Sequence, residues 1–338
     1  MLDIQNPTPF PAIIAPVLDK EGRESAVVVL KGTFAIRNGA ATLAPSEEQA
    51  PIAMGDDYHG EPDKSSLRYA SDLHSPKPGT DVFLLGNAYA GGRGQTQVDA
   101  GLKIGPLSKI VRVFGDRVWF KALGFWVPSE PRPFERIPLL YERAFGGKDF
   151  SHKNPKKHSL EERNPIGTGY VTSNADGFLE DLPLPNLEDP KALIVRAGDK
   201  PAPAGFGPLA PHWLPRRAYA GTYDQQWKDT RFPFLPADFD ERFFHAAAPG
   251  LASPARLTGG EPVRYVNLSP SRDVSFQLPK RRFQVGARIK NQPGEYAAHL
   301  ETVVIEPDAE RVMLTWKAAI PCRRDFLHVE RIAIKEAA

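Results

Sequence analysis

The stretch DDYHGEPDKSSLRYASDL, Asp56 to Leu73, holds the densest set of side chains that could do chemistry. Asp56, Asp57, His59 and Glu61 fall within six residues. Carboxylates around an imidazole can ligate a metal, or divide the work of general acid and base. His59-Gly60-Glu61 also matches the H-x-E half of the zinc-deaminase signature. The other half needs two thiolates in the order P-C-x-x-C, and here Pro321-Cys322 is followed by Arg-Arg-Asp. Cys322 is the single cysteine, so the chain can form neither an internal disulfide nor a zinc-thiolate cluster. A catalytic zinc would need a third ligand from His152, His158 or His212, and no spacing nominates one. The plainer reading of the stretch is a polar turn. In it the acids accept from backbone N–H groups, Gly60 and Pro62 bend the chain, and Arg68 pairs with a carboxylate.

Other catalytic templates are missing. There is no G-x-S-x-G elbow, no G-x-x-x-x-G-K-[ST] loop and no H-E-x-x-H. The glycine-rich GGRG (Gly91–Gly94) and GFG (Gly205–Gly207) open no helix after a strand and read as turns. Two short basic clusters, HKNPKKH from His152 and PKRRF from Pro279, could meet phosphates. With a net charge of +2 they read instead as solvated loop and strand-edge charges. Six aromatics, Trp119, Phe125, Trp126, Trp213, Trp227 and Phe243, are candidates for contact with a partner. No cofactor, metal, nucleic-acid partner or membrane insertion is expected.

The elements that must position these groups are mostly strands. SAVVVLKGTFAIR is β-branched and aromatic, and Asn38-Gly39 after it is a type I′ hairpin signal, because both residues tolerate positive φ. Val98, Ala100, Leu102 and Ile104 alternate with polar or small residues, as in a half-buried antiparallel strand. LSKIVRVFGDRVWF follows, with its reversal placed at Gly115-Asp116. Between about 122 and 262 the periodicity fades and proline, glycine and aromatics take over. Two short helices are expected there, started by capping-box pairs Thr222/Gln225 and Asp238/Glu241, the second with Phe239 and Phe243 on one face. Short strands return from 263 onward, and Pro307-Asp308-Ala309 reads as the reversal between the last two. About twelve strands emerge, with no βαβ alternation to build a parallel sheet.

These features predict a mainly β protein: an antiparallel sandwich or open barrel carrying a long Pro/Gly/aromatic-rich segment and a few short helices. The chain reads as one large domain over 1–338. Strands of 1–121 and 263–338 would share a core across the loop-rich middle. The start MLDIQNPTPF has no signal-peptide pattern, and the longest clean apolar run, AVVVL, is far too short to span a bilayer. A cytoplasmic protein is expected.

The succession NPTPF, VVVLKGTF, YHGEP with SSLRYASDL, KPGTDVFLLGNAYA, VFGDRVW, PLLYERAFGG, NPIGTGY, GFGPLAPHW, AGTYDQQW and LPADFDERFF resembles the DUF2169 family from about Asn6 to Pro279. That resemblance implies an adaptor or chaperone encoded beside type VI secretion genes. Such a protein stabilises an effector and helps load it onto the VgrG/PAAR spike. It brings no catalytic residues with it. The alternatives are a metal-dependent or hydrolytic enzyme using Asp56, Asp57, His59 and Glu61, and a carbohydrate-binding module using its aromatics.

Overall fold

Strand Glu24–Arg37 is buried along nearly its whole length, as its run of β-branched residues and lack of strict alternation require. In the computed structural model, which describes residues 3–150, 153–172, 179–322 and 326–337, it lies inside the larger of two sheets. The order across that sheet is Asp3–Gln5, Val329–Ala337, Arg282–Ile289, Gln292–Glu306, Arg311–Pro321, Glu24–Arg37, Ala12–Leu18. It curls into a half-barrel. The second sheet runs Leu187–Glu188, Leu107–Phe114, Gln97–Ile104, Pro262–Val266, Asp273–Gln277. The protein is thus mainly β, with a few short helical turns, as the sequence predicts.

Both sheets feed one apolar cluster. It includes Phe10, Phe34 and Trp316 from the first sheet's side, and Leu102, Val113 and Tyr265 from the second. Phe10, Phe283 and Trp316 meet edge to face, with Phe283 and Trp316 centroids 4.9 Å apart. Asn38 and Gly39 take φ of 50° and 77° and join Arg37 to Ala40 in the expected two-residue hairpin. Pro307–Ala309 makes the reversal before Arg311, completed by Glu310 at φ 48°.

Strand Gln292–Glu306 changes neighbours along one edge. Its first half pairs with Arg282–Ile289 up to Ala298, and its second half pairs in parallel with Thr80–Leu84 from Thr302 on. The register against Arg311–Pro321 slips between Leu300 and Thr302, which makes Glu301 the extra residue of a bulge. This parallel pairing, together with that of Asp3–Gln5 against Val329–Ala337, departs from the all-antiparallel expectation. Long connections across the chain, not βαβ units, bring these strands side by side.

Two local expectations are corrected. The reversal after Ile104 is at Gly105-Pro106, and Leu107–Phe114 pairs back on Gln97–Ile104. Gly115 instead ends the strand against another backbone: a Cβ there would stand 1.7 Å from the Arg132 carbonyl oxygen. The helical turns Gln225–Thr230 and Glu241–Phe244 are capped by Asp224 and Asp240, not by Thr222 and Asp238. Thr222 and Asp238 bond each other, through Thr222 N to Asp238 Oδ1 (3.0 Å) and Oγ1 to Oδ2 (2.8 Å). Phe239 and Phe243 still meet, 5.6 Å between centroids, outside any shared helix.

Candidate functional site

The Asp56–Leu73 stretch folds as a small hairpin-like unit, Asp57–Tyr58 against Leu67–Tyr69. Two of its acids are engaged locally. Asp56 accepts from the Ser71 N–H (2.8 Å), and Glu61 pairs with Lys64 (2.5 Å). The Gly60 N–H donates to Ser65 Oγ, which donates in turn to the Glu61 carbonyl, both at 2.8 Å. Ser66 gives its N–H and hydroxyl to the Glu142 carboxylate (2.8 and 2.7 Å). Desolvation lowers the His59 pKa, against the pull of Glu142. Arg68 does not take the carboxylate expected of it; its guanidinium lies 5.0 Å from the Tyr69 ring centroid.

Among the described residues no three His, Cys, Asp or Glu side chains are grouped to hold a metal. Of the supplementary ligands considered, His158 stacks on Phe150 (4.9 Å) and His212 accepts from the Trp213 indole N–H (3.0 Å). His152 lies outside the described residues.

What the stretch does position is its far end. Asp72 and, just beyond it, His74 enter a buried charge network under the half-barrel. Asp72 Oδ2 accepts from Lys31 Nζ (3.0 Å) and from the Ala53 N–H (2.8 Å). Thr315 donates to its other oxygen at 3.3 Å. Nearby, Lys77 Nζ reaches Asp81 (2.8 Å) and Thr302 Oγ1 (3.0 Å). Asp81 also takes the His245 ring at 2.6 Å and the Ala246 N–H at 2.9 Å. Burial would raise the Asp81 pKa, but Lys77 and His245 together hold it at about 2.

The third lysine of the network is Lys317, whose side chain is fully enclosed. Burial pushes its pKa down to about 7, against the attraction of Glu301 at 3.8 Å. Its Nζ lies 2.9 Å from His74 Nε2, while His74 Nδ1 bonds the Ser75 carbonyl at 2.6 Å. The proton therefore sits on Nδ1 and Nε2 accepts from the amine. Burial, with Lys317 and Lys77 alongside, holds His74 well below the usual imidazole range and so neutral. Glu301 is pushed up by burial, against the Lys317 amine at 3.8 Å and the Lys77 N–H, neither of which closes to a well-formed hydrogen bond on its oxygens within the described residues. An amine of this pKa could act as a nucleophile, but no surface of it meets solvent. The network is an electrostatic clamp between the 72–81 segment and three strands of the sheet, Glu24–Arg37, Gln292–Glu306 and Arg311–Pro321.

Above Lys31 lies an open groove of about 580 Å³, lined by Asp57, Arg68, Tyr69, Met54 and Arg311 among others. The Tyr69 hydroxyl donates to Glu306, which also takes Arg311 at 2.6 Å. Asp57 is the one member of the acidic set that faces this groove.

The six aromatic candidates separate by burial. Trp119 and Trp213 are corrected outright: both are closed in apolar clusters and offer no face to a partner. Trp126 packs half-buried on the Trp119 cluster, with Lys121 near its ring. Phe243 is half-buried against Phe239, Phe244 and the Arg216 guanidinium. Trp227 is half-buried between Tyr223 and Phe232, both exposed, and donates its indole N–H to the Phe234 carbonyl (2.9 Å).

Phe125 is 74% exposed, on the hairpin that pairs Trp119–Ala122 with Phe125–Pro128. The same hairpin shows Phe120 (42%) and, at its tip, Leu123 (98%). Leu123 and Gly124 turn it with φ of 50° and 86°. Sequence reasoning named Phe125 but missed Phe120 and Leu123. The signal was Leu123-Gly124 between two aromatic-rich four-residue segments, WFKA and FWVP, a two-residue loop of the same kind as Asn38-Gly39.

The family described as "Uncharacterized protein conserved in bacteria (DUF2169)" matches residues 21–317. The chain belongs to that family. No curated protein matches it, and no solved structure does. No helix in the described residues is long and apolar enough to cross a membrane.

Proposed function

We propose that this DUF2169 chain is a cytoplasmic adaptor or chaperone that binds a type VI secretion effector without chemistry and aids its loading onto the VgrG/PAAR spike. The observation that carries the reading is the Trp119–Pro128 hairpin, which holds Phe120, Leu123 and Phe125 out to solvent on a two-stranded support. Large apolar side chains clustered at one exposed tip favour a surface that another macromolecule covers. Burying each would contribute about 1.5–3 kcal/mol. The buried aromatics beneath the hairpin hold its base, so little ordering entropy is lost on docking. The acidic stretch supports the same reading over a hydrolytic or metal-dependent enzyme, since Asp56 and Glu61 are engaged with Ser71 and Lys64 and do not converge with His59 on one point.

Co-purification with the products of neighbouring genes tests the proposal. The wild-type chain should retain an effector, and the double variant Leu123→Asp, Phe125→Ser should lose it while melting at the same temperature. Capture of no protein partner would reject the adaptor class. Retention by the folded double variant would reject the hairpin as its docking face. Stoichiometric metal in the purified protein, lost on His59→Ala with folding intact, would favour the enzyme.

A further inference from the structure

The basic PKRRF cluster has a place in the fold that its charge alone did not reveal. Arg281 and Arg282 stand at the start of strand Arg282–Ile289, beside the point where Gln292–Glu306 changes partners. On that edge His299–Glu301 face no strand: pairing with Arg282–Ile289 ends at Ala298 and pairing with Thr80–Leu84 begins at Thr302. The seam opens a cleft of about 320 Å³. Its floor is apolar, made by Leu257, Phe283, Leu300 and Trp316, all buried.

Its rim is cationic. Arg256, Arg281 and Arg282 all line it, and among the described residues no acidic side chain does. Arg281 is engaged with Glu336 at 2.7 Å. Arg282 has no ion pair among the described residues. Arg256 gives Nη2 to the Lys77 carbonyl (2.9 Å), and its nearest carboxylate, Glu301, stands off at 3.8 Å. Its other N–H groups make no hydrogen bond among the described residues. Two guanidinium groups with spare donors therefore overhang a hydrophobic floor. A guanidinium presents its donors as a fork that matches a carboxylate.

We propose that this cleft receives the C-terminal carboxylate of a polypeptide whose last residue is apolar, the acid against Arg256 and Arg282 and the side chain on the Phe283–Trp316 floor. The volume is near the lower end for a ligand pocket, which suits a chain terminus and is too small for a helix. Charge complementarity supplies the choice of occupant. The inference rests on the adaptor reading only for the source of that polypeptide.

The test uses the purified protein alone. Acetylated tetrapeptides ending in Leu, Ile, Val, Phe or Ala are titrated as free acids and as C-terminal amides, with inorganic phosphate and octanoate as comparison ligands. At least one free acid should shift the amide resonances around Arg282 and His299 at millimolar concentration, and its amide should bind about tenfold more weakly. Arg282→Gln, at an exposed position, should weaken the acid by about tenfold with no change in melting temperature. Arg256→Gln should weaken the acid by a similar factor, and Arg282→Lys should recover part of the loss. Equal binding of acid and amide would overturn the proposal. So would phosphate or octanoate binding as tightly as every peptide acid, or no peptide binding at all. None of these results touches effector capture by the hairpin, so the two readings fail separately.

Discussion

Asp81 Oδ1 and His245 Nδ1 lie 2.6 Å apart across 164 residues of chain, with the other Asp81 oxygen taken by Lys77. The carboxylate is wholly buried, so the contact joins the Thr80–Leu84 strand to the end of the loop-rich middle. A buried pair of this kind contributes less by its own attraction than it costs to break, because the surviving charge keeps its desolvation penalty.

Asp81→Asn should therefore destabilise the protein by about 3–5 kcal/mol, read by urea unfolding. The pH dependence follows from a folded pKa of about 2 below an ordinary 3.8. That sign places the stabilisation above pH 3.8 and removes it as pH falls toward 2. Roughly 2 kcal/mol of acid-sensitive stability should disappear in that window, and the Asn variant should not show it.

Lys317 gives a slope of the same sign in a different window, but there burial disfavours the charged form where at Asp81 the partners favour it. Its folded pKa of about 7 lies below the 10.5 of an ordinary lysine, so the unfolded chain binds the extra proton between those values. Stability should rise with pH across that range. Thermal unfolding at pH 7 and pH 9 should show wild type gaining more than Lys317→Met. Parallel changes in the two proteins would assign the slope elsewhere.

The two ends of the acidic stretch should respond differently to substitution. His59→Ala, at the surface, should change stability by less than about 0.5 kcal/mol. Asp72→Ala leaves Lys31 buried without its partner and should cost about 3–5 kcal/mol. Comparable effects from both would mean that the stretch acts as one unit.

Gly115→Ala should be poorly tolerated. The added methyl would meet the Arg132 carbonyl at 1.7 Å, and backbone cannot yield as a side chain can. Loss of soluble, folded protein is expected, or destabilisation by more than about 3 kcal/mol. Gly92→Ala, with open space around it, is the control.

The local grammar of the β structure was legible. Strand Gln97–Ile104 buries alternate residues, and Asn38-Gly39 turns as its residue types require. Lys290-Asn291 makes a similar hairpin, φ 46° and 62°, with a lysine where glycine or asparagine is expected, so it left no signal. The capping pairs misled because Asp224 and Asp240 take the first-turn N–H groups, while Thr222 and Asp238 bond each other. The charge network was the largest omission. Its trace is a charged residue inside an apolar run, Asp81 in TDVFLL, Glu301 in HLETVVI and Lys317 in TWKAAI. Each reads alone as an exposed position of a strand, and pairing them needs a topology that local patterns do not encode.

Register sets a further condition, this time on biosynthesis. Ser25 is opposite Pro321 and Ala35 is opposite Arg311, so the most water-averse strand meets its main neighbour only after residues 311–321 have been made. Until then Val27–Leu30 has Ala12–Leu18 on one flank and an open edge on the other. A ribosome carrying this chain must hold a sticky, half-paired ribbon until that distant strand has emerged.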